Sequence, residues 1–186
     1  EIVYEGDAAA GKAATPDDDS SALRAIPGDD DAAALPSTDR RAHHTFARAM
    51  RAHVRDTAVP AADDGAVNEY QAAVALLKDG HQADAITALR AFLPHYPRHD
   101  YADNAQYWIG EAYYAQHDYQ HALAEFRATI EVYPRGNKVP DALLKVGYCY
   151  QALGQAEKAK AVLEQVVNLY PKSGPAALAA KRLETP

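Results

Sequence analysis

The sequence predicts an all-α fold, a right-handed solenoid of three stacked helix pairs closed by a C-terminal capping helix. The first observation is a dipeptide that recurs with a 37-residue period, as Tyr96-Pro97, Tyr133-Pro134 and Tyr170-Pro171. The second is that small, aromatic and alanine positions keep the same period between these steps. A fixed period of this size is typical of stacked repeats and seldom of a single globular core.

The second unit shows how each helix pair is encoded. Apolar residues recur at helical spacing from about 101 to 116, and they do so again from 119 to 132. Because Pro134 has no N–H and clashes with the preceding turn, the second helix must end near Tyr133. The repeats are predicted at about 67–100, 101–137 and 138–172, within a domain that spans 66–186 and ends in a capping helix at 174–184.

Small residues within the unit predict where its two helices cross. Gly110 and Ala122 lack bulk, while Tyr113 and Phe126 would fill the space beside them. This pattern resembles the tetratricopeptide repeat, in which a small residue, an aromatic residue, an Ala-x3-Phe step and a proline follow one another. The third unit repeats it with Gly147, Tyr150, Ala159, Leu163 and Pro171, and the first unit carries a weaker version.

The chain departs from the usual repeat in two respects. Its period is 37 residues, where the common tetratricopeptide repeat has 34, so three residues are inserted after each proline. The position of the usual first-helix tryptophan is taken by Gln106, whereas the single tryptophan of the chain is Trp108.

The head of the chain differs from the repeats in charge. Residues 1–65 hold 13 acidic and 7 basic residues, whereas residues 66–186 have a net charge of only −1. Runs of aspartate among Ala, Pro, Ser and Gly bury too little apolar area to offset the entropy of ordering. We therefore predict a disordered acidic linker over 1–65, with a short basic helix over 39–56 that is either a partly helical linker or a contact to a membrane or acidic partner.

The sequence contains none of the common catalytic or phosphate-binding motifs. The sequence has no phosphate-binding loop, serine elbow or zinc-protease motif. His117 and His121 are four residues apart, but no third ligand follows at helical spacing. The near-neutral repeats also disfavour a nucleic-acid groove, and no apolar run is long enough to insert into a membrane. We expect no enzyme activity, no cofactor, no metal site, no nucleic-acid partner and no direct membrane insertion.

The expected function is to hold another protein on the concave side, which the first helices of stacked pairs line. Tyrosine and tryptophan suit such a surface, because each offers a large rigid area and one polar atom. Their helical phase favours Tyr107 and Tyr148 as exposed residues, while Trp108 and some tyrosines could instead pack between repeats. The candidate partner-binding residues are Tyr70, Asn104, Tyr107, Trp108, Glu111, Tyr114, Lys145 and Tyr148.

Longer strings in units two and three carry a closer resemblance. They include YWIGE at 107–111, DALLKVG at 141–147 and the final KRL at 181–183. Over about residues 67–184 the chain resembles the C-terminal domain of the Tol–Pal-associated cell-division coordinator family (CpoB, also called YbgF). The resemblance implies a periplasmic, non-enzymatic adaptor that binds a TolA-like protein and a bifunctional peptidoglycan synthase. Such adaptors couple septal wall synthesis to constriction of the outer membrane.

Two further expectations follow from that resemblance. Family members carry an N-terminal trimerising coiled coil, which residues 1–65 lack, so oligomerisation is expected only through a segment upstream of Glu1. The sequence begins without methionine, and we expect it to be a processed or truncated piece.

The alternative function is a structural subunit of outer-membrane protein assembly, like the repeat-containing lipoprotein of the barrel-insertion machine. Tetratricopeptide domains that grip a C-terminal carboxylate use Lys and Asn, of which only Lys145 and Asn104 are available, so we do not expect that role.

Overall fold

The structure is a computed structural model that describes residues 64–184, and within that range it contains seven α-helices and no strand. The predicted linker and the helix at 39–56 lie outside the described residues, except that Asp64 and Gly65 already belong to the first helix. The helices are α1 Asp64–Lys78, α2 Gln82–His95, α3 Ala102–Ala115, α4 Tyr119–Val132, α5 Val139–Ala152, α6 Ala156–Leu169 and α7 Gly174–Leu183.

The helices form three consecutive antiparallel pairs, and α7 closes the stack against α5 and α6. Each helix packs against the helices before and after it in the chain. The first helices α1, α3, α5 and α7 also contact one another in succession, more closely than the second helices do. The predicted all-helical solenoid of helix pairs is therefore confirmed, and its first helices share one face.

Each Tyr-Pro step ends a second helix in the same way. At Tyr133 the backbone leaves the helical region (φ −120°, ψ 59°), because a residue before proline is disfavoured there. The N–H of Tyr133 donates to the carbonyl of Thr129 at 3.1 Å, and its own carbonyl accepts from the N–H of Gly136 at 2.8 Å. The same two bonds recur at Tyr96 and Tyr170. The residues after each proline thus continue as a hydrogen-bonded turn.

The turn inside each unit is also repeated. Gly80, His117 and Gly154 follow the first helices at 37-residue intervals, and all three have left-handed backbone angles. Their N–H groups and those of the next residues bond back to the helix ends in the Schellman pattern, which satisfies carbonyls that would otherwise be unpaired. His117 is the one non-glycine residue with a positive φ (60°) in the described range, so unit two holds a side chain where glycine is favoured.

Close crossing of the paired helices depends on two glycines. A Cβ atom at Gly110 would lie 2.6 Å from the ring of Phe126, and one at Gly147 would lie 2.7 Å from Leu163 Cδ2. Phe126 and Leu163 are both fully buried. The predicted role of the small residues in unit two, which is to let aromatic bulk enter the crossing, is confirmed.

The central helix α3 is the most enclosed part of the described chain. It packs against α1, α2, α4 and α5, and ten of its 14 residues are buried. The two hydrophobic clusters of the domain meet around it, since Trp108 and Tyr113 contact both. A helix with neighbours on this many sides has little surface left for a partner.

Candidate partner-binding face

The first helices α1, α3, α5 and α7 share one face, which we call the inner face. On this face a side-chain contact joins each first helix to the next. Trp108 Nε1 on α3 donates to the Tyr70 hydroxyl on α1 at 2.8 Å. Lys145 Nζ on α5 lies 2.8 Å from the Glu111 carboxylate on α3. Arg182 Nε on α7 donates to Gln151 Oε1 on α5 at 2.7 Å. The links change from uncharged, to ionic, to a cation on a neutral acceptor.

Tyr70 is placed inside the first junction between repeats. Its residue is only 2% exposed, and its ring stacks on Tyr101 with centroids 4.4 Å apart. Trp108 is half-buried beside it. Tyr70 therefore supports the inner face from behind, while Trp108 keeps part of its ring at the surface.

Tyr107 lies in the core, contrary to the expectation from its helical phase. It is 7% exposed, and its ring packs against Phe126 at 5.4 Å and against Trp108 at 5.6 Å. Burial raises the pKa of Tyr107 well above its ordinary value, and the nearby charges of Glu111 and Asp141 raise it further. The expectation that the Tyr107 ring is exposed to a partner is therefore wrong, because α4 and α5 cover that side of α3.

Asn104 and its neighbour Asp103 are also enclosed, at 2% and 6% exposure. Asp103 Oδ1 accepts from the Asn104 backbone N–H (2.8 Å) and side-chain amide (3.0 Å), and Oδ2 accepts from the Lys138 backbone N–H (3.0 Å). Burial raises the pKa of the Asp103 carboxyl, which these donors only partly oppose. Asn104 thus holds a structural carboxylate that anchors the start of α5, and it does not line an open groove.

A second buried carboxylate joins the first two units on the other side. Glu125 on α4 is 2% exposed and accepts from Arg90 Nη2 on α2 at 2.7 Å and from Gln106 Nε2 at 2.6 Å. Gln106 occupies the position at which the usual repeat has tryptophan, and it is fully buried. The departure from the common pattern at Gln106 is therefore explained by its hydrogen bond to Glu125.

One accessible part of the inner face lies toward the C-terminal end of the described residues. A pocket of about 350 Å³ opens between the ends of α3, α5 and α7. Burial raises the pKa of Tyr114 to about 12, and it also raises the pKa of Tyr148, although the nearby charge of Arg182 opposes the second shift. The residues that line this pocket are Tyr114, Tyr148, Gln151, Ala152 and Arg182.

Lys145 borders the pocket and is already engaged. Its ammonium group lies 4.8 Å from the centre of the Tyr114 ring as well as against Glu111. Glu111 is buried at 8% exposure, so it serves mainly to hold Lys145. A cation placed over an aromatic face is attracted by the ring quadrupole. The Tyr114 ring is thereby held in position beside the pocket.

The eight candidates divide into two groups of four. The buried ones form the supporting layer, and the half-buried ones remain available to a partner, although their binding role stays a prediction. Buried are Tyr70, Asn104, Tyr107 and Glu111; half-buried are Trp108, Tyr114, Lys145 and Tyr148. Sequence reasoning missed Gln151 and Arg182, because α7 was interpreted only as a cap. The basic residues of its last turn were the one available signal.

His117 and His121 each have a local partner. His117 Nδ1 is 2.7 Å from the Tyr119 hydroxyl, and His121 Nδ1 is 2.6 Å from Asp118 Oδ2. No group of three His, Cys, Asp or Glu side chains in residues 64–184 is arranged to hold a metal ion. Cys149 is buried, which raises its pKa to about 12 and leaves the thiol protonated at neutral pH.

Comparison with known families decides the repeat type. A tetratricopeptide repeat model matches residues 104–135 and 141–173, which are the second and third helix pairs. The second and third helix pairs are therefore similar to the tetratricopeptide repeat. The first tetratricopeptide domain of Spaghetti (RPAP3), solved with an HSP90 peptide, resembles this tetratricopeptide domain with a TM-score of 0.52 at 18% identity, over 64% of this chain and 87% of that one. This likeness concerns the fold alone.

Curated relatives confirm the closer resemblance. The cell division coordinator CpoB of Escherichia coli strain K12 is 39% identical over 56 residues, which cover 30% of this chain and 21% of the relative. The coordinator of Pseudomonas putida is 47% identical over 51 residues, covering 27% and 19%. The tetratricopeptide domain is therefore related to the cell-division coordinators, and the chain spans about a fifth of the length of these relatives. Within residues 64–184 no helix has the length and apolar character needed to cross a bilayer.

Proposed function

We propose that the chain is a periplasmic protein-interaction adaptor that coordinates septal peptidoglycan synthesis with Tol–Pal-driven constriction of the outer membrane. The observation that carries this proposal is the 39% and 47% identity to coordinators of cell division. The matched part is a tetratricopeptide domain, a fold whose stacked first helices form an extended surface for other proteins. The proposed partners are a TolA-like protein and a bifunctional peptidoglycan synthase.

The proposed partner site is the pocket between α3, α5 and α7 with its neighbours Lys145 and Trp108. Tyr114 and Tyr148 are half-buried there, so each ring combines a fixed position with surface that a partner can cover. Rigid aromatic side chains cost little conformational entropy on binding and recur at binding hot spots. The buried Glu111 holds Lys145, whose ammonium group lies over the Tyr114 ring.

Support for the alternative, a structural subunit of outer-membrane protein assembly, comes from the repeat fold alone. The names of the matched relatives refer to cell division. These names favour the adaptor role over the alternative.

The proposal is tested by capture of the two named partners from the same organism. The purified full chain is immobilised and compared with Tyr148→Ala and Tyr114→Ala. We expect each substitution to weaken capture about tenfold or more, as loss of a hot-spot aromatic does. Glu164→Ala, exposed on the second helix α6, serves as the control and should bind normally.

Circular dichroism melting separates loss of binding from loss of fold. Tyr148→Phe keeps the packing of the ring and should retain most binding. If the wild-type chain captures neither partner, the adaptor proposal is wrong. If capture is unchanged in Tyr148→Ala and Tyr114→Ala, the partner binds elsewhere on the domain.

A further inference from the structure

The pocket contains a guanidinium group that is held in position by a neutral residue. Among the described residues, Arg182 is an exposed side chain that lines the pocket and donates from Nε to Gln151 Oε1, a neutral acceptor that does not offset the charge of the arginine. This contrasts with Lys145, whose charge is offset by Glu111 at 2.8 Å. An arginine whose Nε is already engaged presents its Nη donors in a fixed orientation.

Aromatic surface surrounds this cation on the side of α3 and α5. Tyr114, Tyr148 and Ala152 line the same pocket as Arg182. Both tyrosines are half-buried, so each keeps part of its side chain at the surface. A ligand for this site needs an anionic group for Arg182 and an apolar group for the tyrosines.

Charge is distributed unevenly along the domain, and the pocket lies in the basic part. Residues 66–137 contain 9 acidic and 5 basic side chains, whereas residues 138–184 contain 4 acidic and 7 basic ones. An anionic segment is therefore attracted more strongly to the C-terminal part of the domain than to its N-terminal part. The two opposed signs also orient a ligand that carries charge at one end.

We propose that this pocket binds an extended internal segment of a partner protein, with a glutamate or aspartate side chain on Arg182 and an adjacent large apolar side chain between Tyr114 and Tyr148. This inference rests on the proposed adaptor function and names the chemistry that its partner presents. Arginine and carboxylate pair through two parallel N–H···O bonds, which supply direction as well as energy.

A free C-terminal carboxylate is not the expected ligand. The two residue types that grip such a group in other tetratricopeptide domains are both occupied here, since Asn104 is buried against Asp103 and Lys145 is bound to Glu111. A carboxylate in this pocket therefore has Arg182 as its principal donor. With only one charged donor in the pocket, the ligand also needs apolar side chains next to its carboxylate to supply the remaining affinity.

The test measures fluorescence anisotropy of labelled octapeptides with the full chain. The probe is Gly-Ser-Glu-Leu-Glu-Phe-Ser-Gly with an amidated C-terminus, and its match replaces both glutamates by glutamine. We expect the glutamate peptide to bind at least tenfold more tightly, and we expect 0.5 M NaCl to weaken it, because the pair is partly exposed to solvent. Arg182→Gln should abolish the difference between the two peptides.

A matched control removes the same charge one residue earlier. Lys181→Gln should leave the preference for glutamate within about twofold, since residues i and i+1 point to different sides of a helix. Arg182→Lys should restore part of the preference. The proposal is overturned if Lys181→Gln acts like Arg182→Gln, if both peptides bind equally to the wild type, or if only a peptide with a free C-terminal carboxylate binds.

Two other outcomes bear on the proposal. Tighter peptide binding by Arg182→Gln than by the wild type would mean that an acidic segment of the chain itself occupies the pocket, which overturns the partner assignment. In the capture assay with the named partners, Arg182→Gln could retain binding while Tyr148→Ala loses it. That result would refute the pairing of a partner carboxylate with Arg182 and leave the adaptor role intact. Selective peptide binding without capture would refute those partners and leave the pocket chemistry intact.

Discussion

The two junctions between repeats place their ion pairs on different helices. Between units one and two, Arg90 and Glu125 join the second helices α2 and α4, and the link on the inner face is the uncharged bond between Trp108 and Tyr70. Between units two and three, the ion pair of Lys145 and Glu111 joins the first helices α3 and α5. One backbone plan therefore carries an uncharged inner face at one end and a charged inner face at the other.

This difference separates stability from recognition. The ion pair of the first junction joins second helices and supports the stacking of two units through the buried Glu125. The pair of the second junction lies beside the pocket and holds the Tyr114 ring in place. Changes at the first junction should alter unfolding alone, whereas changes at the second should also reach ligand binding.

Arg90→Ala should have the largest effect on unfolding. It removes the Arg90 guanidinium from the nearly buried carboxylate of Glu125 (side chain 3% exposed), so we expect a loss of about 3 kcal/mol. Urea denaturation measures the loss, and Arg135→Ala, an exposed control, should change stability by less than about 0.5 kcal/mol. Binding of the glutamate peptide below the unfolding transition should not change. A loss under about 1 kcal/mol would show that the pair does little for the first junction.

Gly136→Ala should destabilise the second junction by about 2 kcal/mol. A Cβ atom at this position would lie 2.5 Å from Asp103 Oδ2, and the carboxylate cannot move away without losing its bond to the Lys138 N–H. Gly174→Ala is the matched control, because nothing lies within 4 Å of its added Cβ. Thermal melting of both variants measures the contrast. Equal melting temperatures would mean that the Asp103 contact adjusts freely.

The smallest expected effect is a pH dependence from Asp103. Its pKa in the folded state is raised above the usual 3.8 by burial, with the Lys138 N–H opposing the shift. A raised folded pKa stabilises the protein below the unfolded value, and this contribution is lost as the pH rises through the folded pKa. The unfolding free energy of the wild type minus that of Asp103→Asn should therefore fall as the pH rises from about 3 into the mildly acidic range. A difference that rises, or stays flat, contradicts the assignment.

Local rules predicted the helices well. The proline steps, the small residues at Gly110 and Gly147 and the spacing of apolar positions act within one or two helical turns, and the structure follows them. The left-handed turn at His117 was not predicted. Glycine indicates this backbone conformation in the other two units, whereas histidine does not. The 37-residue register was the signal that could have revealed it.

The candidate site was predicted less well, and Tyr107 shows why. Helical phase gives the direction of a side chain relative to its own helix, and on that basis Tyr107 points away from Ile109. It does not show that a helix from the next unit covers the same side. Residues nearer the C-terminal ends of the first helices, Tyr114 and Tyr148, escape this coverage and remain half-buried.

By itself, the sequence determined the number of units, the ends of their helices and the relationship to a family, because proline, glycine and periodic apolar residues act on nearby backbone. Only the tertiary structure decided which residues reach the surface and which meet. Arg182 and Gln151 are 31 residues apart, and Arg90 and Glu125 are 35 apart. Such contacts depend on how closely whole helices pack, since the exposure of a side chain is set by every neighbour around it. The charged contacts and the pocket of the inner face therefore form only when the helix pairs stack.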